Sequence, residues 1–174
     1  MVTTTRDTAA QAAAREVAGR VTDPELPTLT LADLGVLRDV RVTGAGTVIV
    51  SITPTYSGCP AMHAMRDDLV HALQDAGFGD VDVRVVLHPA WTTDWMTDAG
   101  RRKLAEAGIA PPGGAPPRRR GPVPVTLTAP PRRIRCPYCG SADTERLSDF
   151  SGTACKALCR CRTCREPFEH FKEL

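Results

Sequence analysis

The sequence predicts a mixed α/β domain, a small open sheet with helices packed against it, followed by a short C-terminal domain that depends on a metal ion. Three observations carry this prediction. Helix-like and strand-like patterns alternate over residues 8–107, 8 of the 15 prolines fall in residues 110–131, and four of the seven cysteines form two Cys-x-x-Cys pairs. The 174 residues are 42% hydrophobic but only 5% aromatic, so the core must be built from Val, Leu, Ile and Ala. That length suffices for one ordinary domain and a small appendage.

The apolar pattern predicts three helices and three strands in the order α-β-β-α-β-α, which is typical of an open sheet with helices against it. The first helix follows Thr8, a capping residue, and the second places Met65, Leu69 and Leu73 on one face. Gly44-Ala45-Gly46 joins the first two strands and indicates a hairpin. The predicted helices cover residues 8–20, 60–75 and 97–107, and the predicted strands cover 36–42, 47–53 and 81–87.

Residues 110–131 are predicted to form an extended linker between two domains. Proline fixes φ and lacks an N–H donor, so a stretch this rich in proline forms neither a helix nor a central strand. We therefore expect an α/β domain over 1–109, a Pro/Arg-rich linker over 110–131 and a second domain over 132–174. The second domain has too few apolar residues to fold on a core alone, and chains this short usually need a metal or disulfides.

Charge and hydropathy narrow the classes of partner. The net charge of +2 divides into −4 for residues 1–109, +3 for the linker and +3 for the C-terminal domain, and so modest a tail charge disfavours nucleic acid. No apolar run approaches the roughly 20 residues that span a bilayer, and the Ala-rich start lacks a signal-peptide core. We therefore expect a cytoplasmic protein with no membrane partner, whose cysteines are reduced thiols or metal ligands.

Cys136-Pro-Tyr-Cys139 and Cys161-Arg-Thr-Cys164 are the most specific motifs of the sequence. A gap of two residues lets a tight turn aim both sulfurs at one ion, and two such knuckles supply the tetrahedral thiolates of a structural Zn²⁺ site. The pattern therefore predicts a Cys₄ zinc ribbon of β-hairpins; iron, in a rubredoxin-like site or a cluster, is the alternative. Six flanking arginines can offset the negative charge of such a centre. They are Arg132, Arg133, Arg135, Arg160, Arg162 and Arg165.

Two further cysteines, Cys155 and Cys159, lie between the knuckles. Free cysteine is among the most often buried residues, so one interpretation makes both of them small hydrophobic residues of a hairpin. The alternative makes Cys155 an additional reactive thiol at the surface, where the neighbouring Lys156 would lower its pKa. Either cysteine could also replace a knuckle cysteine as a metal ligand.

Cys59, the lone cysteine of the first domain, is the candidate functional thiol. It lies between the second strand and the second helix, and Pro60 suits the first helical position, so Cys59 is predicted at the N-cap. There the helix macrodipole and the free amides stabilise a thiolate, and strand-to-helix turns often bind ligands. The alternative is a buried thiol that only caps the helix. His63, one turn on, could join Cys59 on a metal, although an ordinary hydrogen-bonded histidine is commoner.

Three acidic residues and two tryptophans have two interpretations each. Asp23, Glu25 and Asp33 either cap turns or lie near Cys59 and contact a metal or a partner. Trp91 and Trp95 either fill the core of the first domain or anchor a partner.

Two stretches, DPELPTLTLADLGVLRDV at 23–40 and TPTYSGCPA at 53–61, resemble the small iron–sulfur assembly domain of SufT-type maturation factors. The stretches at 88–112 and 135–172 are similar to one branch, the PaaD (PaaJ) family of accessory subunits in the phenylacetyl-CoA oxygenase (epoxidase) system. The likeness covers the chain except for its Ala-rich start and the linker. The combination of YSGCPA, TACKAL and a late EPF is quite specific.

The resemblance implies an accessory maturation factor, for an iron–sulfur or other metal centre, that has no catalysis of its own. It would serve the phenylacetyl-CoA 1,2-epoxidase complex in aerobic phenylacetate breakdown. Carried over by position, Cys59 is the cluster- or metal-handling thiol, Asp23 and Glu25 are the acidic signature, and the four knuckle cysteines hold the ribbon metal. The implied cargo is a transient iron–sulfur cluster or iron.

The implied partners are oxygenase or reductase subunits of that complex. Because a single thiol cannot hold a cluster, a homodimer or a client interface is also needed. Two other functions stay open: a zinc-ribbon module that binds protein or nucleic acid, and a thiol enzyme with Cys59 as its nucleophile. Nucleic-acid binding would depend strongly on salt, and a thiol enzyme would need a base, for which His63 is the nearest candidate in sequence.

Overall fold

The computed structural model describes residues 3–56, 58–114 and 134–173, and side chains from residue 9 onward within them. The chain divides into two compact units, Met1–Lys103 and Leu104–Glu173. None of the helices in these ranges is long and apolar enough to cross a membrane. The expected linker is described only at its first residues, and residues 115–133 lie outside the described part.

The first unit follows the predicted order of helices and strands. Its elements are α1 (Thr3–Arg20), β1 (Thr22–Asp23), β2 (Leu26–Thr30), β3 (Leu37–Val42), β4 (Val48–Ile52), α2 (Met62–Asp75), β5 (Val81–Val85), a 3₁₀ turn (Thr93–Trp95) and α3 (Asp98–Glu106), whose last turn belongs to the second unit. Strands β3, β4 and β5 form one sheet, in which β3 is antiparallel and β5 parallel to β4. The mixed α/β class is confirmed, and β1–β2 adds a hairpin that the sequence pattern did not predict.

Aliphatic side chains form the core of the first unit, as its low aromatic content requires. Trp91 is also buried, and its indole N–H donates to the Leu34 carbonyl at 3.0 Å, so this tryptophan fills the core. Trp95 is half-buried, and the Arg38 guanidinium lies 3.4 Å above its ring. The largest fully buried aliphatics of this unit are Leu29, Leu31, Leu34, Val36, Val40, Val48, Ile52, Leu69 and Leu73.

The second unit is a four-stranded sheet in the order β6-β9-β8-β7. Its strands are β6 (Ile109–Ala110), β7 (Thr144–Ser148), β8 (Lys156–Cys161) and β9 (Pro167–Phe171). β6 is parallel to β9, and β7-β8-β9 form antiparallel hairpins. Its small core contains Ala110, Ile134, Cys136, Cys159, Cys161 and Phe168.

The division between the units differs from the expected boundary at residue 109. The ribbon unit begins at Leu104, and Ala110, expected in the linker, lies in β6 opposite His170. The proline pattern begins only at Pro111, so it cannot reveal that the two residues before it extend the sheet of the second unit.

Candidate metal centre and candidate thiol site

Four cysteines of the second unit come together at one point. The sulfurs of Cys136, Cys139, Cys161 and Cys164 all lie within 4.8 Å of one another. The Cys136 and Cys164 sulfurs are 3.7 Å apart, and those of Cys139 and Cys161 are 3.6 Å apart. Tetrahedral Zn²⁺ with Zn–S bonds of about 2.3 Å requires sulfur–sulfur separations of about 3.8 Å. The predicted grouping is therefore present, with the dimensions that a zinc ion needs.

The two knuckles have the same backbone geometry. The N–H of Cys136 donates to the Ser141 carbonyl at 2.9 Å, and the N–H of Cys161 donates to the Glu166 carbonyl at 3.0 Å, five residues on in each case. The residue after each second cysteine has a left-handed backbone: Gly140 with φ 74° and Arg165 with φ 65°. Glycine adopts this region freely, whereas arginine is strained there. Only the first of these two positions was foreseeable, because a glycine occupies it.

The sulfurs of Cys161 and Cys164 have pKa values that are shifted in opposite directions. A hydrogen bond from the Cys164 backbone N–H lowers the pKa of Cys161 to about 6. A backbone hydrogen bond at Glu166 favours the thiolate of Cys164. Burial and the neighbouring sulfurs have the larger effect, and the pKa of Cys164 is raised to about 12. Ionising one thiol therefore makes the next harder to ionise, and a bound divalent cation is what would stabilise the full set of thiolates. The donor set fits Zn²⁺.

The arginines near the knuckles are mostly held by local partners. Arg160 and Arg162 both pair with Glu145, at 2.6 and 3.1 Å, and together they hold the pKa of that carboxyl below its usual range. Arg135 donates to the Gly140 carbonyl at 3.1 Å. Arg132 and Arg133 lie outside the described residues. Glu145 therefore neutralises part of the positive charge of these arginines, so Arg160 and Arg162 do not form a free basic surface.

Cys155 is buried, which contradicts the alternative of a surface thiol and agrees with the interpretation of a small hydrophobic residue. Its sulfur lies 3.1 Å from the Thr153 hydroxyl. Lys156 is buried too, and its ammonium pairs with Glu169 at 2.6 Å. Cys159 is a fully buried core residue, as the hydrophobic interpretation predicted, and burial raises the pKa of its thiol. Neither cysteine belongs to the group of four sulfurs.

Sequence reasoning missed the polar contacts around Lys156 and Glu169. The Glu169 carboxylate accepts hydrogen bonds from the Ser151 hydroxyl at 2.5 Å and from the Lys156 ammonium. Burial acts to raise the pKa of Glu169, but these bonds outweigh it and hold that pKa below the usual range. They tie the loop before β8 to strand β9. The only sequence signal was a lysine at an inward position of a strand, which is rare unless the charge is paired.

Cys59 is half-buried and lies in the connection between β4 and α2. It is not the N-cap of α2, because the helix begins at Met62 and Ala61 is the N-cap, without a side-chain cap hydrogen bond. The Met62 N–H reaches the Cys59 carbonyl at 3.4 Å, so Cys59 opens a turn that precedes the helix. Gly58, with φ 94°, allows the chain to bend there. Ser57 lies outside the described residues.

The sheet topology places the Cys59 connection at one end of the sheet. Strands β4 and β5 are parallel and in register, with Ile52 opposite Val85, so the segments that follow them leave from the same end. Leu87, in the segment after β5, has 65% of its surface exposed, and Val85 has 50%. The half-buried thiol and the exposed Leu87 thus belong to the two connections that leave this end of the sheet, the end where α/β folds commonly bind ligands.

The carboxylates of Asp23 and Asp33 serve local structure. The Asp23 carboxylate accepts hydrogen bonds from the backbone N–H groups of Glu25 and Leu26, at 2.7 and 3.1 Å, which is turn capping. Asp33 pairs with Lys103 at 2.6 Å and also accepts from Thr30 and Thr97. Within the described residues, the four knuckle cysteines are the one group of three or more side chains that could hold a metal ion. Asp23, Glu25, His63 and Cys59 do not form such a group.

Comparison with known proteins identifies both units. Residues 9–87 match the model of an iron–sulfur cluster assembly protein, and residues 120–172 match the PaaD zinc β-ribbon domain. A domain of unknown function (DUF59) from Bacillus anthracis has a similar fold, with a TM-score of 0.53 and 24% identity over 57% of this chain and 95% of that one. The chain thus joins an iron–sulfur-assembly fold to a zinc ribbon.

Two relatives show to which family the chain belongs. The chain is 47% identical, over 88% of its length and 87% of the other, to an Escherichia coli (strain K12) protein named as the D component of 1,2-phenylacetyl-CoA epoxidase. It is 34% identical to the Fe-S protein maturation auxiliary factor YitW of Bacillus subtilis (strain 168), over 45% of this chain and 76% of that one. The chain belongs to the PaaD family, the D components of 1,2-phenylacetyl-CoA epoxidase.

Proposed function

We propose that the protein is an accessory maturation factor for a 1,2-phenylacetyl-CoA epoxidase complex. It would help to assemble an iron–sulfur or other metal centre of that complex during aerobic phenylacetate catabolism in the cytoplasm. The observation that carries the proposal is the union, in one chain, of an iron–sulfur assembly unit with the ribbon of the PaaD family. Relatives that match less than half of this chain are named as Fe-S maturation auxiliary factors.

Cys59 is the thiol that we propose for the transfer. It is half-buried rather than enclosed, and it lies in a turn after β4 rather than within a packed element. Iron in a cluster is held by several thiolates, and Cys59 is not part of a group of metal-binding side chains in the described chain. A cluster or iron ion carried by Cys59 therefore needs further ligands from a partner, and it can leave when that partner offers better ones. Asp23 and Glu25 keep their proposed role as an acidic signature of the family, and Asp23 fixes the turn at residues 23–26.

The ribbon has a different proposed role. Cys136, Cys139, Cys161 and Cys164 would hold one structural Zn²⁺, with no open position for a cargo ion. The zinc would stabilise a unit whose own apolar core is small. The proposed partners are oxygenase or reductase subunits of the epoxidase complex, and the further ligands for the cargo come from one of these or from a second copy of this chain.

The experiment is complementation of a strain that lacks this protein, with epoxidation of phenylacetyl-CoA as the readout. Cys59→Ala should abolish epoxidation while the purified variant keeps its zinc. Gln74→Ala, an exposed change on α2, is the matched control and should complement fully. Purified oxygenase that is already replete with metal should then work without this protein. A requirement for the protein at every turnover would show that maturation is the wrong function.

The same assay separates a thiol enzyme from a maturation factor. A thiol enzyme needs a base beside its nucleophile, and His63 is an exposed residue one turn after Cys59. We expect His63→Ala to keep most of the complementing activity, because thiolate ligation needs no such base. A loss as severe as that of Cys59→Ala, in a folded variant, would favour the enzyme.

A further inference from the structure

Strand β5 (Val81–Val85) is an edge of the three-stranded sheet in the first unit. Its one neighbour among the described strands is β4, so the far side of β5 presents backbone groups that no described strand pairs. All five residues of β5 are in register with β4, without a bulge. A regular edge strand with exposed apolar residues is a template for pairing with another strand.

The other edge of the sheet lacks this regularity. Strand β3 pairs with β4 through a register shift between Leu37 and Asp39, and α1 packs against it. Asp39 is also held by Arg15 of α1 at 3.2 Å and by Arg41 at 2.5 Å. A bulge is a device that keeps an edge strand from pairing, and β5 has none. The two edges therefore differ, and β5 is the regular edge that no other strand of the described residues occupies.

The sequence of β5, Val-Asp-Val-Arg-Val, matches itself when two copies run antiparallel. If the pairing is centred on Val83, Val81 of one copy lies opposite Val85 of the other, and Asp82 lies opposite Arg84. Residues directly opposite each other share a face of the sheet and interact, and opposite charges there are favourable. Asp82 and Arg84 already share a face within one chain, where their side chains pair at 2.7 Å. A two-fold dimer would thus gather two acids and two bases on one face and valines on the other.

We propose that two copies of this chain associate through antiparallel pairing of their β5 strands. The two sheets then join into one of six strands, and each Val85, which has 50% of its surface exposed in the single chain, gains an apolar neighbour opposite it. The contact is isologous, as a closed two-fold dimer requires, so it ends at two copies and does not propagate into a fibre.

The pairing has a consequence for Cys59, and this consequence rests on the proposed role of that thiol. The Cys59 connection leaves from the Ile52 end of β4, which is also the Val85 end of β5. In an antiparallel dimer the two such ends point in opposite directions, and they lie on the order of 20 Å apart across four strands. One cluster is too small to bridge that distance. The dimer therefore presents two separate Cys59 sites, and the additional ligands for each come from a client rather than from the second copy.

Charge reversal tests the pairing with the full-length, zinc-loaded chain, by sedimentation velocity over a range of concentrations in the presence of a reductant. The wild-type chain should show a monomer–dimer equilibrium. Arg84→Asp places acid opposite acid, and Asp82→Arg places base opposite base, so each variant should raise the dimer dissociation constant at least about tenfold. An equimolar mixture of the two variants restores opposite charges at every pair and should dimerise again. Arg41→Asp, which breaks the corresponding pair on β3, is the matched control and should dimerise like the wild type.

Three outcomes would overturn the proposal. The wild-type chain could stay monomeric at the highest concentration of the sedimentation series, or both charge-reversed variants could dimerise like the wild type. The third is that an equimolar mixture of the two variants stays monomeric. The result is independent of the maturation role, because no client or cargo is present. A failure of Cys59→Ala to affect epoxidation would leave the β5 dimer standing, and a monomeric wild type would leave the role of Cys59 standing.

Discussion

The two cysteine sites of this chain differ in how complete they are. In the ribbon, four sulfurs lie within 4.8 Å of one another, on two knuckles with matching backbone hydrogen bonds. In the assembly unit, Cys59 lies half-buried in a turn, and the described residues bring no group of metal-binding side chains to it. A full set of ligands holds an ion in place, whereas one thiolate can only share it. The difference suggests that one chain carries a closed site for stability and an open site for transfer.

The largest effect should come from breaking the closed site. Cys136→Ser removes one of four thiolates, and we expect zinc, about one ion per chain in the wild type, to fall to a trace. The ribbon should lose its folded structure, because structural zinc contributes on the order of 10 kcal/mol in small domains. Elemental analysis and thermal unfolding measure both effects. Cys155→Ser, a change at a buried sulfur outside the group of four, should keep its zinc; loss of zinc there would contradict the ligand assignment.

The ion pair of Lys156 and Glu169 should make the next largest contribution to the ribbon. Glu169→Gln leaves the Lys156 ammonium, with 8% of its side-chain surface exposed, without its carboxylate. We expect a loss of about 3 kcal/mol in the free energy of unfolding, measured with zinc bound. Replacing both residues by apolar ones, Lys156→Met with Glu169→Leu, should cost much less. Equal losses in the single and the double variant would mean that the pair does not act as a unit.

In the assembly unit, the contribution of Asp33 to the free energy of unfolding should depend on pH. Burial acts to raise its pKa, but hydrogen bonds from Lys103 and Thr30 outweigh burial and hold the pKa below its usual range. The carboxylate therefore contributes its full stability above about pH 4 and loses it as the pH falls towards the lowered pKa. Asp33→Asn should cost about 2 kcal/mol at pH 7 and less at pH 3, measured as the difference in unfolding free energy from the wild type. A difference that does not change with pH would contradict this.

The smallest predicted effect compares the two knuckles. Gly140 and Arg165 hold the same left-handed position, and only the arginine is strained there. Arg165→Gly should therefore stabilise the ribbon by about 0.5–1 kcal/mol, and Gly140→Ala should destabilise it by about 1 kcal/mol. Both values come from denaturant unfolding of the zinc-loaded chain. A destabilising Arg165→Gly would show that the arginine side chain contributes more than its backbone costs.

Much of the fold could be predicted because its signals are local. Apolar periodicity identified the three helices and three strands of the first unit, and the Cys-x-x-Cys spacing identified the four sulfurs before their positions were known. The β1–β2 hairpin was missed because its turn, held by Asp23, has the same proline-rich pattern as an ordinary helix end. β6 was missed because two residues carry no periodicity, and its pairing with β9 joins positions far apart in sequence.

The candidate sites were harder to predict where contacts between residues far apart in sequence determine the burial of a side chain. The sequence predicted Cys59 as the N-cap of α2, but the N-cap is Ala61 because a turn precedes the helix. Pro60 is acceptable both in such a turn and at the first position of a helix, so it did not distinguish the two. Cys155 is buried, and Lys156 pairs with Glu169 on the neighbouring strand, a partner that a local stretch of sequence cannot show. The role of Cys59 itself depends on a partner molecule, so it stays a prediction that only function can test.

The most direct test of the difference between the two sites is a paired measurement on Cys59→Ala: phenylacetyl-CoA epoxidation in complemented cells, and zinc in the same purified variant. We predict that epoxidation is lost and that zinc remains at the wild-type level of about one ion per chain. Full epoxidation by a strain whose only copy is Cys59→Ala would contradict the open transfer site, and loss of zinc together with epoxidation would show that the two sites are not separate.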